Sequence, residues 1–429
     1  MAEPCELTPI LGNYIEKDQH YTIIGGGISG LLLGFFMKDA GISFEIREKS
    51  DRVGGMIATN ACDYGSVETG ANGILWCKEI DYVARKLDLK PLAPNQKDKK
   101  RFFVRNKKLN QFPLRVFETL GFLGRMLTPH SGKIKTVYDF GRQYMGESAT
   151  RQILSPALAG IYGTSAEQLS FDGSLKMLSR MLSLSRWLPL AWFRNRKQNK
   201  TNNSVGLPKG LHSFRGGMQV LVDHLSEYLK DEIKLNTKVT SIDKERHIIS
   251  TVPAHVILQM IPNGHLKDLL SQVRYQGLFS VSLFFKKGQF ANFKPGFGCL
   301  IPREEGLVSL GVLFTSIIFP ERVNDETVLN LRCILHYNER TAILSDEQLV
   351  DVLINDLDQL FGLSGKPLEH KIYGWEQGLP IYSPELNDLL PQLDQVLKES
   401  HPKLRIFGNY TGEISVRGAC QTAFKAIKA

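Results

Sequence analysis

A chain of 429 residues exceeds what one hydrophobic core organises, so two or three domains are expected. With 42% apolar, 9% aromatic and 23% charged residues, it is neither disordered nor collagen-like. A formal charge of +9 favours an anionic partner, and nucleic acid, acidic lipid headgroups and a polycarboxylate ligand would each satisfy it.

Met1 to Lys17 carries Glu3, Pro4, Glu6 and Glu16 and no apolar stretch, which argues against a secretory signal. Nowhere does an apolar run reach the length needed to span a bilayer. Cys5, Cys62, Cys77, Cys299, Cys333 and Cys420 are scattered, with no CxxC pair and no His/Cys cluster at ligand spacing. They read as reduced, mostly packed thiols, with no metal site expected and a reduced cytoplasm as the compartment.

Tyr21-Thr22-Ile23-Ile24 is a β-rich run that ends in glycines. Leu31-Leu32-Leu33 and Phe35-Phe36-Met37 then predict an apolar helix closed by Gly41, and Phe44-Glu45-Ile46 a second strand. Strand, helix and strand in this order imply a βαβ unit and a parallel sheet. From Phe102 to about Leu190 the texture is helical, with Leu120, Leu123, Met126 and Leu127, then Leu175, Leu178 and Leu182, at helical spacing. Pro189 is expected to end that stretch, and Arg194 to Asn203 has the composition of a solvated linker. Gly216-Gly217 opens a helical pattern through Val220, Leu221 and Leu225. Strand character returns over 233–262, with Ile248 to Pro253 as a buried strand, and again over Phe279–Phe285 and Leu307–Phe314. Leu404 to Phe407, running into Gly408, repeats strand, turn and helix.

Gly25-Gly26-Gly27-Ile28-Ser29-Gly30 fits G-x-G-x-x-G at the junction of the first strand and helix. Gly25 permits the tight turn, Gly27 lets backbone approach a diphosphate, and Gly30 lets helix and strand pack closely. Glu48, 23 residues after Gly25 and followed by Lys49, stands where a carboxylate can accept hydrogen bonds from ribose hydroxyls. A dinucleotide site follows.

What comes next separates FAD from NAD. Ser50-Asp51-Arg52-Val53-Gly54-Gly55 resembles the second signature of the flavin amine oxidase and protoporphyrinogen oxidase superfamily, in which the arginine and paired glycines sit against FAD. Glu68-Thr69-Gly70-Ala71-Asn72-Gly73 resembles the next flavin-facing turn. Arg101-Phe102-Phe103-Val104, with Lys108-Leu109 and Phe112-Pro113, is similar to the segment carrying the substrate-facing arginine of the oxygen-dependent protoporphyrinogen oxidases. Ile161 to Ser170 is similar to their helical-domain signature, and Ser213-Phe214-Arg215-Gly216-Gly217-Met218-Gln219 to their "SF-basic-GGM" turn. Gly296 to Pro302 and Leu310 to Pro320 resemble substrate-domain strands, and Gly408-Asn409-Tyr410 with Ile414-Ser415-Val416 the turn that cradles the flavin ring. These matches run in order from about residue 20 to 425.

The resemblance implies an α/β protein, α+β overall, with a discontinuous Rossmann-like FAD-binding domain (18–95, 205–261 and 395–429). A mixed-sheet substrate domain would take 96–113 and 262–394, and an inserted helical domain 114–204 would meet the membrane. FAD would be held by the Gly25–Gly30 loop, Glu48, Lys49, Arg52, Gly55, Met56, Gly70, Ala71, Asn72, Gly73, Val239, Gly408, Ile414, Ser415 and Val416. No side chain is assigned as certainly catalytic; the implied reaction is six-electron oxidation of protoporphyrinogen IX at its methylene bridges, with FAD and O2 as acceptors, in heme biosynthesis. Arg101 would hold a propionate, while Phe297, Gly298, Leu300 and Ile334 would pack on the macrocycle. His212, near the SF-basic-GGM turn, is the histidine with a candidate role, a satisfied surface or cap histidine being the simpler reading.

Relatives of this type are held on membranes, so a peripheral contact on the inner face of the cell membrane is expected. Trp187, Trp192 and Phe193 beside Arg194, Arg196, Lys197 and Lys200 would serve it, an inward-packed helix being the alternative. No nucleic-acid partner is expected, and a homodimer is left open. Two departures from the pattern stand out. A β-meander is missing between Val239 and Ile249, which leaves the outer sheet face uncovered or covered by something else. Met56 and Asn72 stand where relatives carry larger or basic residues. Coproporphyrinogen oxidase, amine oxidase, carotenoid-type desaturase and a flavin-binding scaffold without turnover remain alternatives.

Overall fold

A computed structural model describes residues 10–198 and 207–428. Strand β1 (His20–Ile24), helix α1 (Ile28–Asp39) and strand β2 (Ser43–Arg47) form the expected βαβ unit. They belong to a parallel five-stranded sheet in the order Leu404–Ile406, His247–Ser250, β1, β2, Ile233–Lys234. Both faces of β1 are covered, which is why it reads as an almost unbroken apolar run. Helix α1 is apolar all round for the same reason, since every residue from Gly30 to Met37 is buried. It packs on the sheet and on helices Gln219–Tyr228 and Val416–Lys428, with Phe36 edge-on to Phe424 at 5.4 Å.

A second, seven-stranded sheet runs in the order Glu369–Pro380, Tyr275–Lys286, Val328–Tyr337, Ser309–Phe314, Gly298–Leu300, Arg101–Arg105, Lys108–Asn110. One face buries Val281, Leu283, Val312, Cys333 and Leu335 under Leu349, Leu353 and Leu357 of helix Asp346–Phe361. Strand alternation therefore puts Ser280, Leu300, Arg332 and Ile334 on the other face, turned toward the first sheet and the helical region.

Several expectations are corrected. Residues 102–110 are not helical, because Arg101–Arg105 and Lys108–Asn110 form a hairpin that extends the second sheet; helix begins at Val116. Pro189 does not end a helix. It is the second residue of helix Leu188–Gln198, in a first turn where a missing N–H breaks no helical bond. The expected linker is thus helical over 194–198, and its remainder, 199–203, lies outside the described residues. Over 233–262 only Ile233–Lys234 and His247–Ser250 are strands; the chain leaves the sheet before Val252 and Pro253 and turns into the short helix Ala254–Ile257. The cysteines described are free thiols, four of them buried and Cys62 half-buried, while Cys5 lies outside the described residues.

Where the meander is missing, the outer sheet face is largely but not wholly covered. Thr22, Ile24 and Ile248 are at most 5% exposed, in a core completed by Leu11 and helix Pro384–Ser400 with Val239 and Ile242 alongside. A cavity of about 290 Å³ persists there, between Thr22, Ile24, Arg47 and the segment 238–246.

Helix Val116–Leu127 buries no residue and leaves Val116, Phe117, Leu120 and Leu127 between 61% and 87% exposed. It is tied to the sheet by a two-pronged bond from Arg105 to Glu118, at 2.6 and 2.8 Å. That guanidinium holds the Glu118 carboxyl down to about 2, helped by the Arg115 N–H and the Ser148 hydroxyl. Glu118→Gln should therefore cost about 1–2 kcal/mol at pH 7. A carboxyl lowered on folding stabilises above its ordinary 4.5 and loses that contribution as pH falls toward 2. The wild-type advantage in thermal midpoint should shrink over that window; a gap independent of pH would dismiss the ion pair as its cause.

Candidate active site

The glycine loop sits at the C-terminal edge of the parallel sheet, where open α/β sheets place their ligands. Gly25 adopts φ +105°, and its N–H donates to the Arg47 carbonyl at 2.9 Å. The Thr251 hydroxyl bonds the Gly25 carbonyl at 2.8 Å and fixes the turn from the neighbouring strand. A Cβ on Gly30 would stand 2.1 Å from that carbonyl, so helix and strand meet as backbone on backbone. A Cβ on Gly27 would meet only Gly55, at 4.0 Å, which leaves the mouth of α1 open. No side chain caps α1, and its first-turn N–H groups face that opening. Glu48 receives Gly26 N–H at 2.8 Å on one oxygen and Ser50 N–H at 2.9 Å on the other, which fixes the carboxylate beside the loop.

Of the other expected residues, some adjoin this mouth and others lie apart from it. Arg52 is spent on its own loop, donating to the carbonyls of Val53, Gly55 and Ile57 and so shaping the Gly54-Gly55 turn against Gly27. Met56 and Gly70 touch through backbone, since a Cβ on Gly70 would stand 2.5 Å from the Met56 carbonyl. Asn72 has both amide atoms buried without a protein partner, between Ala71 and Gly73. Gly408 follows strand Leu404–Ile406 and exchanges bonds with the Thr411 hydroxyl. Ile414 and Ser415 lead into helix Val416–Lys428, whose first turn is capped by the Ser415 hydroxyl on Gly418 N–H. Val239 borders the small cavity on the outer face, two residues beyond Thr237, whose N–H donates to Glu48 O at 2.8 Å. Lys49 is exposed beside Glu48.

This cradle fits a dinucleotide carrying a flavin. Two uncapped or lightly capped helix mouths, an open glycine cleft and an orphaned buried amide are what a diphosphate and a polar ring edge would complete. Against the second sheet, Arg101 lies over the Phe297 ring at 4.9 Å and pairs in register with Gly298. Gly298 adopts φ +147° where a Cβ would strike the Val312 carbonyl at 2.3 Å. Leu300 pairs with Gly311, which in turn pairs with Ile334, so the fold brings all five expected substrate residues to one sheet and its rim. His212 stands apart: it is buried edge-on to Trp76 at 5.5 Å, with Nδ1 3.2 Å from the Gly210 carbonyl.

The flavin containing amine oxidoreductase family matches residues 28–426. The chain belongs to that family. It is an FAD-dependent oxidoreductase. Among curated proteins it is 25% identical to Protoporphyrinogen oxidase 2, chloroplastic/mitochondrial, of Arabidopsis thaliana, over 94% of this chain and 92% of that one. It is 23% identical to Coproporphyrinogen III oxidase of Bacillus subtilis, over 92% and 94%. A crystal structure of a candidate protoporphyrinogen oxidase from Exiguobacterium sp. 255-15 shares the fold with a TM-score of 0.79 at 20% identity, over 96% and 98% of the chains. Cyclohexylamine oxidase from Brevibacterium oxydans shares it at 0.65 and 15%, over 96% and 99%.

Sequence reasoning missed Arg332, Thr251 and Trp375, which bond the glycine loop or the Thr69–Gly70 turn from neighbouring strands. For Arg332 a signal existed: a lone charge inside the apolar run Leu331-Arg332-Cys333-Ile334-Leu335. Gly30→Ala should move α1 off the sheet and lower FAD affinity at least about tenfold, whereas Gly121→Ala, with nothing near its Cβ, should leave it unchanged. Quenching of FAD fluorescence on titration into apoprotein reads both.

Proposed function

We propose that this flavoenzyme oxidises a carboxylated porphyrinogen, protoporphyrinogen IX foremost, to the porphyrin with O2 as the final acceptor. The observation that carries the reading is one guanidinium at the rim of an apolar sheet face: Arg101 over Phe297, next to Gly298, Leu300 and Ile334. Bound FAD supplies the two-electron acceptor; the protein's part is to orient a large flat substrate and exclude water. Leu300 and Ile334 give the macrocycle an apolar bed, and the Arg101 fork takes a propionate. The names of the plant relatives support protoporphyrinogen. A coproporphyrinogen reading is supported by the bacterial relatives' names and by the +9 charge, which suits a substrate with more carboxylates. Where amine oxidases usually carry a Gly-Glu pair, this chain has Gly408-Asn409-Tyr410.

Purified enzyme under air should develop porphyrin fluorescence from one of the two porphyrinogens, and the faster one identifies the substrate. Arg101→Ala should raise KM about tenfold or more with kcat little changed, as expected for loss of a carboxylate contact remote from the reacting carbon. No turnover of either porphyrinogen by yellow, folded protein would refute the reading.

The same proposal includes a peripheral membrane site on the cytoplasmic face. Val116, Phe117, Leu120 and Leu127 on one helix, and Trp187, Trp192 and Phe193 nearby, are exposed, with Arg196 over the Trp192 ring at 5.4 Å. Apolar side chains rimmed by cations suit an anionic bilayer surface. Among the described residues no helix is long and apolar enough to cross a membrane. Phe117→Asp with Leu120→Asp should abolish sedimentation with phosphatidylglycerol-containing vesicles while leaving FAD content intact; undiminished sedimentation would place the contact elsewhere.

A further inference from the structure

Three buried charges lie together between the two sheets: Glu68, Arg322 and Arg332, at 1%, 2% and 4% exposed. Glu68 and Arg322 form an ion pair at 2.5 Å, and Glu68 also accepts from Met218 N–H and the Thr59 hydroxyl. Among the described residues Arg332 makes no ion pair of its own, although the nearby Glu68 carboxylate favours its charge. Its Nε donates to the Ser280 hydroxyl and its Nη2 to the Gly70 carbonyl, both at 2.7 Å, so it bridges the substrate sheet and the Thr69–Gly70 turn. The cluster therefore carries one positive charge in excess, in a place shielded from water. Leaving such a charge unopposed costs several kcal/mol unless an anion faces it.

The position of that charge is fixed by backbone contacts. Gly27 at the mouth of α1 touches Gly55, Met56 follows Gly55, and Met56 touches Gly70, the residue that Arg332 holds. Asn72, two residues further, keeps its orphaned amide. Arg332 thus terminates a continuous wall that begins where the cofactor's diphosphate binds. FAD that takes up two electrons and one proton gains one net negative charge, and a fixed cation in a low-dielectric site favours that state.

We propose that Arg332 is a positioning and potential-setting residue of the flavin site: its fork holds the Gly70 turn, and its charge favours the reduced cofactor. Burial brings its pKa down to about 10, far enough above neutrality that the charge persists at pH 7. The inference rests on FAD binding and not on the choice of substrate, so its test uses no porphyrinogen.

Anaerobic titration of bound FAD against a reference dye at neutral pH compares wild type, Arg332→Gln and Arg332→Lys. In Arg332→Gln the oxidised-to-reduced ratio at a given potential should rise at least tenfold, a fall of about 30 mV for a two-electron couple. Arg332→Lys keeps the charge and loses the fork; it should stay within twofold of wild type in potential while its flavin absorption bands shift. Arg332→Gln within twofold of wild type, or Arg332→Lys falling as far as Arg332→Gln, overturns the proposal. Should Arg332→Gln emerge without FAD, Arg332→Lys decides alone: within twofold supports it, a tenfold change overturns it. Loss of FAD from both variants also overturns it, since the fork and not the charge would then account for Arg332. Absence of porphyrinogen turnover would leave all three potentials readable, so the two readings fail separately.

Discussion

The structure hangs on a contact that only glycine allows. Where β1 gives way to α1, the Gly25 carbonyl and the Gly30 backbone approach more closely than any side chain could tolerate. That approach brings the α1 mouth down to the strand end, aligns Gly26 with the Glu48 carboxylate, and lets Gly54-Gly55 close over Gly27 through a bond from Gly54 N–H to Gly26 O at 2.8 Å. Everything else in the cofactor cradle is stacked on these backbone surfaces. Arg52 spends its guanidinium shaping the second layer, and the Thr69–Gly70 turn forms the third. A helix mouth presents fixed N–H dipoles at no reorganisation cost, which explains why an anionic diphosphate can be held here without a lysine or arginine on the loop.

The second sheet answers a different requirement. Its strands must bury one face under helix Asp346–Phe361 and offer the other to the cofactor domain. Period-two alternation then sorts residues without further instruction: Cys333 and Leu335 go to the core, Arg332 and Ile334 to the cleft. Gly298 and Gly311 stand on two adjacent inner strands, where neighbouring backbone leaves no room for a Cβ, and the Leu300 side chain reaches Gly160 of the helical region.

What could be read from the sequence was local. β1, α1, β2 and the glycine loop are determined by contacts within about 30 residues, where strand, turn and helix preferences agree. Pro189 was misread because a proline ends a helix only from its interior; in the first turn it starts one, and composition does not reveal which turn it occupies. The hairpin at 101–110 was hidden because each strand is short and its apolar side chains serve a sheet built mostly from residues nearly 200 positions later. The outer sheet face is covered by Leu11 and helix Pro384–Ser400 yet keeps a cavity beside 238–246, a long-range arrangement that no local pattern announces. Arg332 shows the same limit at the site itself. Its charge was visible in the strand, but its meaning depends on a bond to Gly70, 262 residues away.

That bond also explains why a charge is tolerated there. A neutral residue at Arg332 would leave the Gly70 carbonyl and the Ser280 hydroxyl without donors between two domains, each loss costing about 1–3 kcal/mol when buried. A lysine could reach one acceptor but not span both, because the planar fork separates its donors at a fixed distance. The neighbouring Glu68–Arg322 pair is internally neutral, with Glu68 accepting from Met218 and Thr59 and Arg322 donating to Ser213, so the three charges still sum to one positive. Burial without a counter-ion would be a defect in a structure that bound nothing. Beside a cofactor that becomes more negative each time it is reduced, the same imbalance is a source of driving force, present before the electrons arrive and relieved by them.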